Sequence, residues 1–223
     1  VWLRKFLLTL VRIEFKANQS SVIIDLAHRR SIENMTCIVG LIETNKETGG
    51  TEIFVGGDSA AVGSSHWIDA RKGPKVFVKD NFIYGFTSSF RMGDILQYSF
   101  VEPLRDPKAS IDSYLRNEYV DALRQHFKDK GFITVDKQSE HGGTFILGYS
   151  GRLFTVESDF QIGESIRSYV AVGSGNSHAQ GSLYSTEGMN IPARDRIVLA
   201  LEAAENHVTS VRSPFVVESL VFL

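Results

Sequence analysis

The chain has a single cysteine, Cys37, so no intrachain disulfide can form. That poverty fits a reducing compartment, and a cytoplasmic location is the expectation. Proline is also scarce, five residues against nineteen glycines, which favours tight turns over a long disordered linker. Neither sign of charge dominates: 24 Lys and Arg face 26 Asp and Glu, a formal net charge of −2. Without a basic excess there is no broad face for phosphates, so nucleic acid is not an expected partner. No apolar run approaches the ~20 residues of a membrane helix. In the opening VWLRKFLLTLVRIEF, the stretch from Phe6 is interrupted by Arg12 before it reaches the ~7–15 residues of a secretory core. Metal and cofactor signatures are missing as well. The histidines (28, 66, 126, 141, 178 and 207) are scattered, with no HExxH or CxxC pair. There is no GxSxG elbow and no GxxxxGK[ST] loop. No metal or other cofactor is expected.

What is present divides at Met35-Thr36. Residues 1–35 carry no clean period and end in the polar stretch AHRRSIEN. From Thr36 the pattern sharpens into one domain, 36–223, with no linker or repeat inside it. TCIVGLIE and TEIFVGGDSA read as strands about the turn NKETGG, the second breaking at Gly56-Gly57, and PKVFVK and FIYGFTSS as two more about Lys79-Asp80-Asn81. A short helix over 92–100 follows, then a long one over 110–131. In the long one Tyr114, Leu115, Tyr119, Val120, Leu123 and Phe127 recur at helical steps, Ser110 or Asp112 is the N-cap and Gly131 the stop. Strands return in GGTFILGYSGRLFTVE and SYVAVGSG, helices in NSHAQGSLYST and PARDRIVLALEAAENH, and a final strand in SPFVVESLVFL. Runs of strands separated by helix pairs predict an α+β fold of four layers, αββα: two antiparallel sheets stacked face to face with a helix pair outside each.

Three groups of residues could carry chemistry. Thr36, Asp58 and Lys75 form the first. A threonine hydroxyl needs a base to take its proton, and a free α-amine on the same residue, with a pKa near 8, supplies one. An amide nitrogen cannot, so Thr36 suits this role only if residues 1–35 are removed or never translated. If the strands ending at Asp58 and opening at Lys75 flank the first strand, both side chains lie beside Thr36. There the ammonium favours the deprotonated hydroxyl and the carboxylate orients the ammonium. The plainer alternative is a surface ion pair worth ~0–1 kcal/mol, and Lys72 and Arg71 are rivals to Lys75. The second group is GFTSSFRMG, a strand end running into a helix start, where outward-pointing N–H groups either hold a developing oxyanion or are simply serine-capped. The third is GSGNSHAQG, a glycine turn with Ser174 that has no specific signature by itself.

Taken in order, MTCIVG, IFVGGDSAAVG, ARKGPKVF, IYGFTSSFRMGDIL, GGTFILGYSGRLFTVE, YVAVGSGNSHAQG and LEAAENHVTSVRSPFVVESL resemble the proteasome β-type branch of the N-terminal-nucleophile hydrolases. The look is nearest to the bacterial proteasome-like threonine peptidases. The resemblance covers nearly all of 36–223 and none of 1–34. It implies the αββα sandwich, a threonine nucleophile and stacked homo-oligomeric rings with the sites facing an inner chamber. By position it makes Thr36 nucleophile and base in one, Asp58 and Lys75 the supporting ion pair, the backbone at Thr87 and Ser88 the oxyanion donor, and Ser174 a holder of the amine.

Three departures stand against that pattern. Asn206 falls near the place of the family's late aspartate, the oxyanion turn reads TSS where glycine is common, and Met35 precedes Thr36 where self-processing members have glycine. The last favours methionine removal over self-cleavage. The expected function is a threonine-type endopeptidase acting on unfolded polypeptide, with a separate ATP-driven unfoldase because no nucleotide motif is present. The alternatives are a catalytically inactive ring or scaffold subunit, and an amidohydrolase of a small amide.

Overall fold

A computed structural model of the chain describes residues 36–44, 49–62 and 68–222. The expected leader, 1–35, and most of the NKETGG turn lie outside the described residues. Two sheets dominate. The first has the order β12-β1-β2-β13, built from β1 (Cys37–Thr44), β2 (Thr51–Gly57), β12 (Tyr169–Gly173) and β13 (Val216–Phe222). The second has the order β11-β10-β9-β6-β5, built from β5 (Val76–Lys79), β6 (Phe82–Phe86), β9 (Phe145–Tyr149), β10 (Arg152–Val156) and β11 (Ile162–Glu164). Every pairing within them is antiparallel.

The period of two along each strand sorts side chains into three cores. In β1, Cys37, Val39 and Leu41 face outward onto helices, and Ile38 faces inward. The inner layer joins Ile38, Ile53, Val55 and Val172 of the first sheet to Val76, Ile83, Ile146 and Leu153 of the second. The alternate residues of the second sheet, Phe82, Tyr84, Phe86, Phe145, Leu147, Phe154 and Val156, pack against the first helix pair. The layers are therefore helix, sheet, sheet, helix, as the sequence pattern predicts.

The first helix pair covers the second sheet. Helix α1 (Phe90–Tyr98) starts two residues earlier than its apolar pattern suggests, because Ser89 caps it by accepting from Arg91 N–H at 3.1 Å. The long helix, α2, runs through Ile111–Tyr114, Leu115–Tyr119 and Val120–Asp129, and its middle segment is π-helical. The extra residue in that turn lets Tyr114 and Tyr119, five apart, both be buried. Ser110, rather than Asp112, is its cap. Helices α3 (Asn176–Ser185) and α4 (Ala193–His207) cover the first sheet.

Two small hairpins are additions that the sequence pattern did not announce: β3 (Ala60–Val62) with β4 (Ile68–Ala70), and β7 (Thr134–Asp136) with β8 (Ser139–His141). The break expected at Gly56-Gly57 in TEIFVGGDSA falls after Gly57, and Asp58 sits in it. Lys75 comes from elsewhere than expected: β2 flanks β1, but β5 is an edge strand of the facing sheet. Among the described residues no helix is long and apolar enough to cross a membrane.

On β6, Gly85 faces the opposite sheet at close range. A Cβ there would lie 2.5 Å from Ile38 Cγ2 and 2.6 Å from Val55 Cγ1, both in the opposite sheet. Gly85→Val should therefore overpack the inner layer and cost ~1–3 kcal/mol, read as a lower urea midpoint and Tm. Gly73→Ala, at a position with open space around it, should change stability by no more than ~0.5 kcal/mol. Equal stability of the two variants would contradict this packing.

Candidate active site

Register places the site. In β1 and β12, Cys37 pairs with Gly173, so one step further Ser174 comes opposite Thr36. In β1 and β2, Ile38 pairs with Gly57, which brings Asp58 level with Cys37. The chain turns sharply after β12 at Gly173, with φ of +93°. A Cβ there would lie 2.3 Å from the Thr36 carbonyl oxygen, so only glycine fits. Lys75 precedes β5 and reaches across the sandwich from the facing sheet.

Thr36, Asp58 and Lys75 are all buried, 3%, 1% and 4% exposed. Thr36 Oγ1 donates to Asp58 Oδ1 at 2.6 Å. Lys75 Nζ donates to Thr36 Oγ1 and, at 2.9 Å, to Asp58 Oδ1. Cys37 N–H also donates to Oδ1 at 3.0 Å, and Ala60 N–H donates to Oδ2 at 3.0 Å. The ammonium beside the hydroxyl favours its deprotonation once a base is available, and the carboxylate holds the ammonium in place. Burial lowers the Lys75 pKa below the ordinary lysine value of 10.5, and the neighbouring Asp58 opposes that shift. The rivals are elsewhere: Lys72 is exposed, and the Arg71 guanidinium lies 4.4 Å from the centre of the Phe90 ring. Cys37, next to Thr36, is no competing nucleophile. Burial, helped by Asp58, pushes its thiol up to about 12.

At the other end of Thr36, its N–H donates to Ser174 Oγ at 3.2 Å. Ser174 Oγ lies 3.0 Å from Ser210 Oγ, and Ser210 is buried. Gly175 N–H donates to the Thr36 carbonyl at 3.2 Å. Ser210 is a member that the sequence reading missed. It follows the last helix in a stretch, HVTSVRSP, without local periodicity. Asn206, singled out in the sequence, is not in the site: its side chain is exposed and donates back to the Glu202 carbonyl at 2.9 Å.

The turn at 87–89 is the remaining element. Thr87 N–H donates to Thr144 O at 3.1 Å, continuing the ladder between β6 and β9, and Ser89 N–H donates to Thr87 O. Of the Thr87-Ser88 pair, it is the Ser88 amide that stays outside these bonds. Ser88 takes a left-handed conformation, φ of +60°, which glycine would adopt without strain. Its Oγ accepts from Thr144 N–H at 3.2 Å, which holds the turn in that shape. No group of three or more potential metal ligands occurs among the described residues.

By sequence, no protein-family model matches the chain, and no match to a curated protein is found. Solved structures are similar in fold. BPH of Thiobacillus denitrificans has a TM-score of 0.66 at 16% identity, over 83% of this chain and 97% of that one, and was also solved in complex with epoxomicin. HslV of Trypanosoma brucei has a TM-score of 0.58 at 14% identity, over 83% and 99%. Anbu, an ancestral β-subunit, of Yersinia bercovieri has a TM-score of 0.56 at 12% identity, over 82% and 80%. The αββα sandwich is thus similar to the fold of these proteins.

Removing the Asp58 carboxylate while Lys75 stays should leave a buried ammonium without its counter-ion and the N–H groups of Cys37, Ala60 and Arg212 without their acceptor. Asp58→Ala should therefore cost about 3–5 kcal/mol in chemical denaturation. Asp58→Ala with Lys75→Met should recover part of that loss. A double variant less stable than the single one would show that the pair is not coupled as described.

Proposed function

We propose that the protein is a threonine-type endopeptidase whose nucleophile is Thr36, acting on peptide bonds of unfolded polypeptide. The observation that carries this reading is the placement of Thr36 Oγ1 between the Lys75 ammonium and the Asp58 carboxylate, with Ser174 at the Thr36 nitrogen. It occurs on a fold shared with HslV and BPH.

In this reading residues 1–35 are absent from the working form, and the Thr36 nitrogen is a free amine. The amine takes the hydroxyl proton as Oγ1 bonds to the substrate carbonyl carbon. The carbonyl oxygen turns negative and is met by the Ser88 N–H. The C–N bond breaks as the amine returns the proton to the leaving nitrogen. An ester to Thr36 remains. Water, deprotonated by the same amine, adds to the ester carbon, and the carboxylate product departs with Thr36 regenerated. Lys75 stays charged throughout and lowers the cost of the alkoxide. Ser174 and Ser210 hold the amine in line. Nothing in these steps calls on a metal. The subunits assemble as a homo-oligomeric ring that encloses the sites, and a separate ATP-driven unfoldase feeds it.

One observation favours a second reading. The groups that touch the Thr36 nitrogen are neutral hydroxyls, Ser174 and behind it Ser210, rather than a carboxylate. That suits an inactive ring subunit as well as an active one.

Thr36→Ala should abolish cleavage of a fluorogenic peptide and labelling by epoxomicin, with the oligomeric state unchanged on size exclusion. Activity equal to the parent would end the peptidase reading, and an inactive parent would support the scaffold reading. The active form should also have a bell-shaped pH dependence of kcat/KM. The amine must be unprotonated, so activity rises with pH through about 8. Lys75 must be protonated, and burial lowers its pKa, so activity falls before pH reaches the ordinary lysine value of 10.5. A rate still level beyond that value would contradict a charged Lys75.

A further inference from the structure

The inner face of the sandwich changes character at one end. In β9 it carries Gly148, Ile146 and then, just before the strand, Thr144. In β10 it carries Leu153, then Thr155, then Glu157 just past the strand end. In β12 it carries Val170, Val172 and then Ser174. Each strand thus runs from the apolar layer between the sheets into a polar residue. The register of β10 on β9 pairs Val156 with Phe145, so the next step sets Glu157 opposite Thr144. Here the sheets part around a cavity of about 590 Å³, bordered also by Asn176 and Gln180 on the first turns of α3.

Two of the lining residues belong to the candidate site. Ser174 accepts from the Thr36 nitrogen, and Thr144 holds the turn at Thr87 and Ser88 from both sides. The cavity therefore borders the residues that hold the Thr36 nitrogen and the Ser88 turn, one residue removed from the groups that would meet a scissile carbonyl. Its other polar side chains are already engaged. Gln180 donates to the Ala171 carbonyl, Asn176 accepts from Ser177 Oγ, and Thr155 Oγ1 reaches the Gly163 carbonyl. Glu157 is the one charged residue of the lining, and its carboxylate forms no ion pair or side-chain hydrogen bond among the described residues. Partial burial, with Asp159 nearby, raises its pKa. Such a group is stabilised most by a cation brought to it, and no lining residue supplies one.

We propose that this cavity is a substrate subsite and that Glu157 makes it select a basic side chain, lysine or arginine, close to the bond that is cut. The site is built for the purpose in a simple way: three strands end in hydrogen-bonding groups around a space large enough for one long side chain, with a lone carboxylate at its rim. Lysine and arginine match it because their apolar stems can lie along Val170 and Val172 while the head reaches Glu157. Acidic side chains are rejected by Glu157 and Asp159 together. The proposal rests on the reading of Thr36 as nucleophile only for what happens to the bound peptide; binding itself does not need it.

The test separates the two. Labelled peptides that differ at one position, Arg, Ala or Glu, are titrated by fluorescence anisotropy against the full chain and its Glu157→Gln and Glu157→Lys variants. The parent should bind the Arg peptide at least ~10-fold tighter than the Ala peptide, a difference of about 1.4 kcal/mol. Glu157→Gln should erase that ratio, and Glu157→Lys should make the Glu peptide the preferred one. The same peptides in internally quenched form report the ratio of kcat/KM for cleavage. Binding that follows residue 157 without cleavage would keep the subsite and end the peptidase reading. Cleavage with the same Arg-to-Ala ratio in the parent and Glu157→Lys would keep the peptidase reading and overturn the subsite, as would a parent that does not distinguish the peptides in binding.

Discussion

The Asp58 carboxylate is the point on which the arrangement turns. One oxygen of it, Oδ1, accepts from the Thr36 hydroxyl, the Cys37 amide and the Lys75 ammonium. Those donors come from the first strand of one sheet and the edge strand of the other. A carboxylate and an ammonium removed from water are costly unless each is fully partnered, and here the partners are what fix the position of Thr36. Neither charge could be buried without the other, and neither would hold the threonine alone. The hydroxyl is thus placed by electrostatics that the fold must enclose, not by a surface contact that solvent would screen.

The sandwich makes that enclosure possible because its two sheets approach closely around Gly85. Gly85 lets Ile38 and Val55 meet the facing sheet without an intervening Cβ, which draws the start of β1 toward the strand that carries Lys75. Away from that contact the layer opens, and its filling changes from isoleucine, leucine and valine to threonine, serine and glutamate. Tight packing surrounds the ion pair, and elsewhere between the sheets looser packing leaves the cavity beside Thr144, Glu157 and Ser174. The two features lie on different strands of the same two sheets: the contact on β1, β2 and β6, the cavity at the ends of β9, β10 and β12.

Much of this was legible in the chain. The alternation in CIVGL and FIYGF and the four-residue steps of 115–127 announce strands and helices directly. Their order gives the four layers, since each apolar face needs a partner. Thr36, Asp58 and Lys75 were singled out because each stands at the head or foot of a patterned strand, and the role expected for Ser174 came from the family resemblance. What the sequence could not give was the third dimension between sheets. Nothing local says that Lys75 arrives from the facing sheet instead of a flanking strand. Ser210 lies in an aperiodic loop, and Asn206, noted for its place near the end of the last helix, turns its side chain back onto the Glu202 carbonyl. The turn at Ser88 was read as a departure from glycine. Its left-handed backbone, held by Thr144, achieves with a serine what glycine would do without strain. Glu157 carried no signal at all, because an acid after a strand is ordinary until the cavity beside it is seen.

The account depends on a nitrogen. In a chain that continues through Met35, the atom beside Ser174 is an amide and cannot receive the hydroxyl proton, however well Lys75 and Asp58 hold the oxygen. The most direct measurement is intact-mass and N-terminal analysis of the fraction that turns over peptide. The account predicts that every active chain begins at Thr36. Turnover by chains in which Thr36 is still joined to Met35 would contradict it.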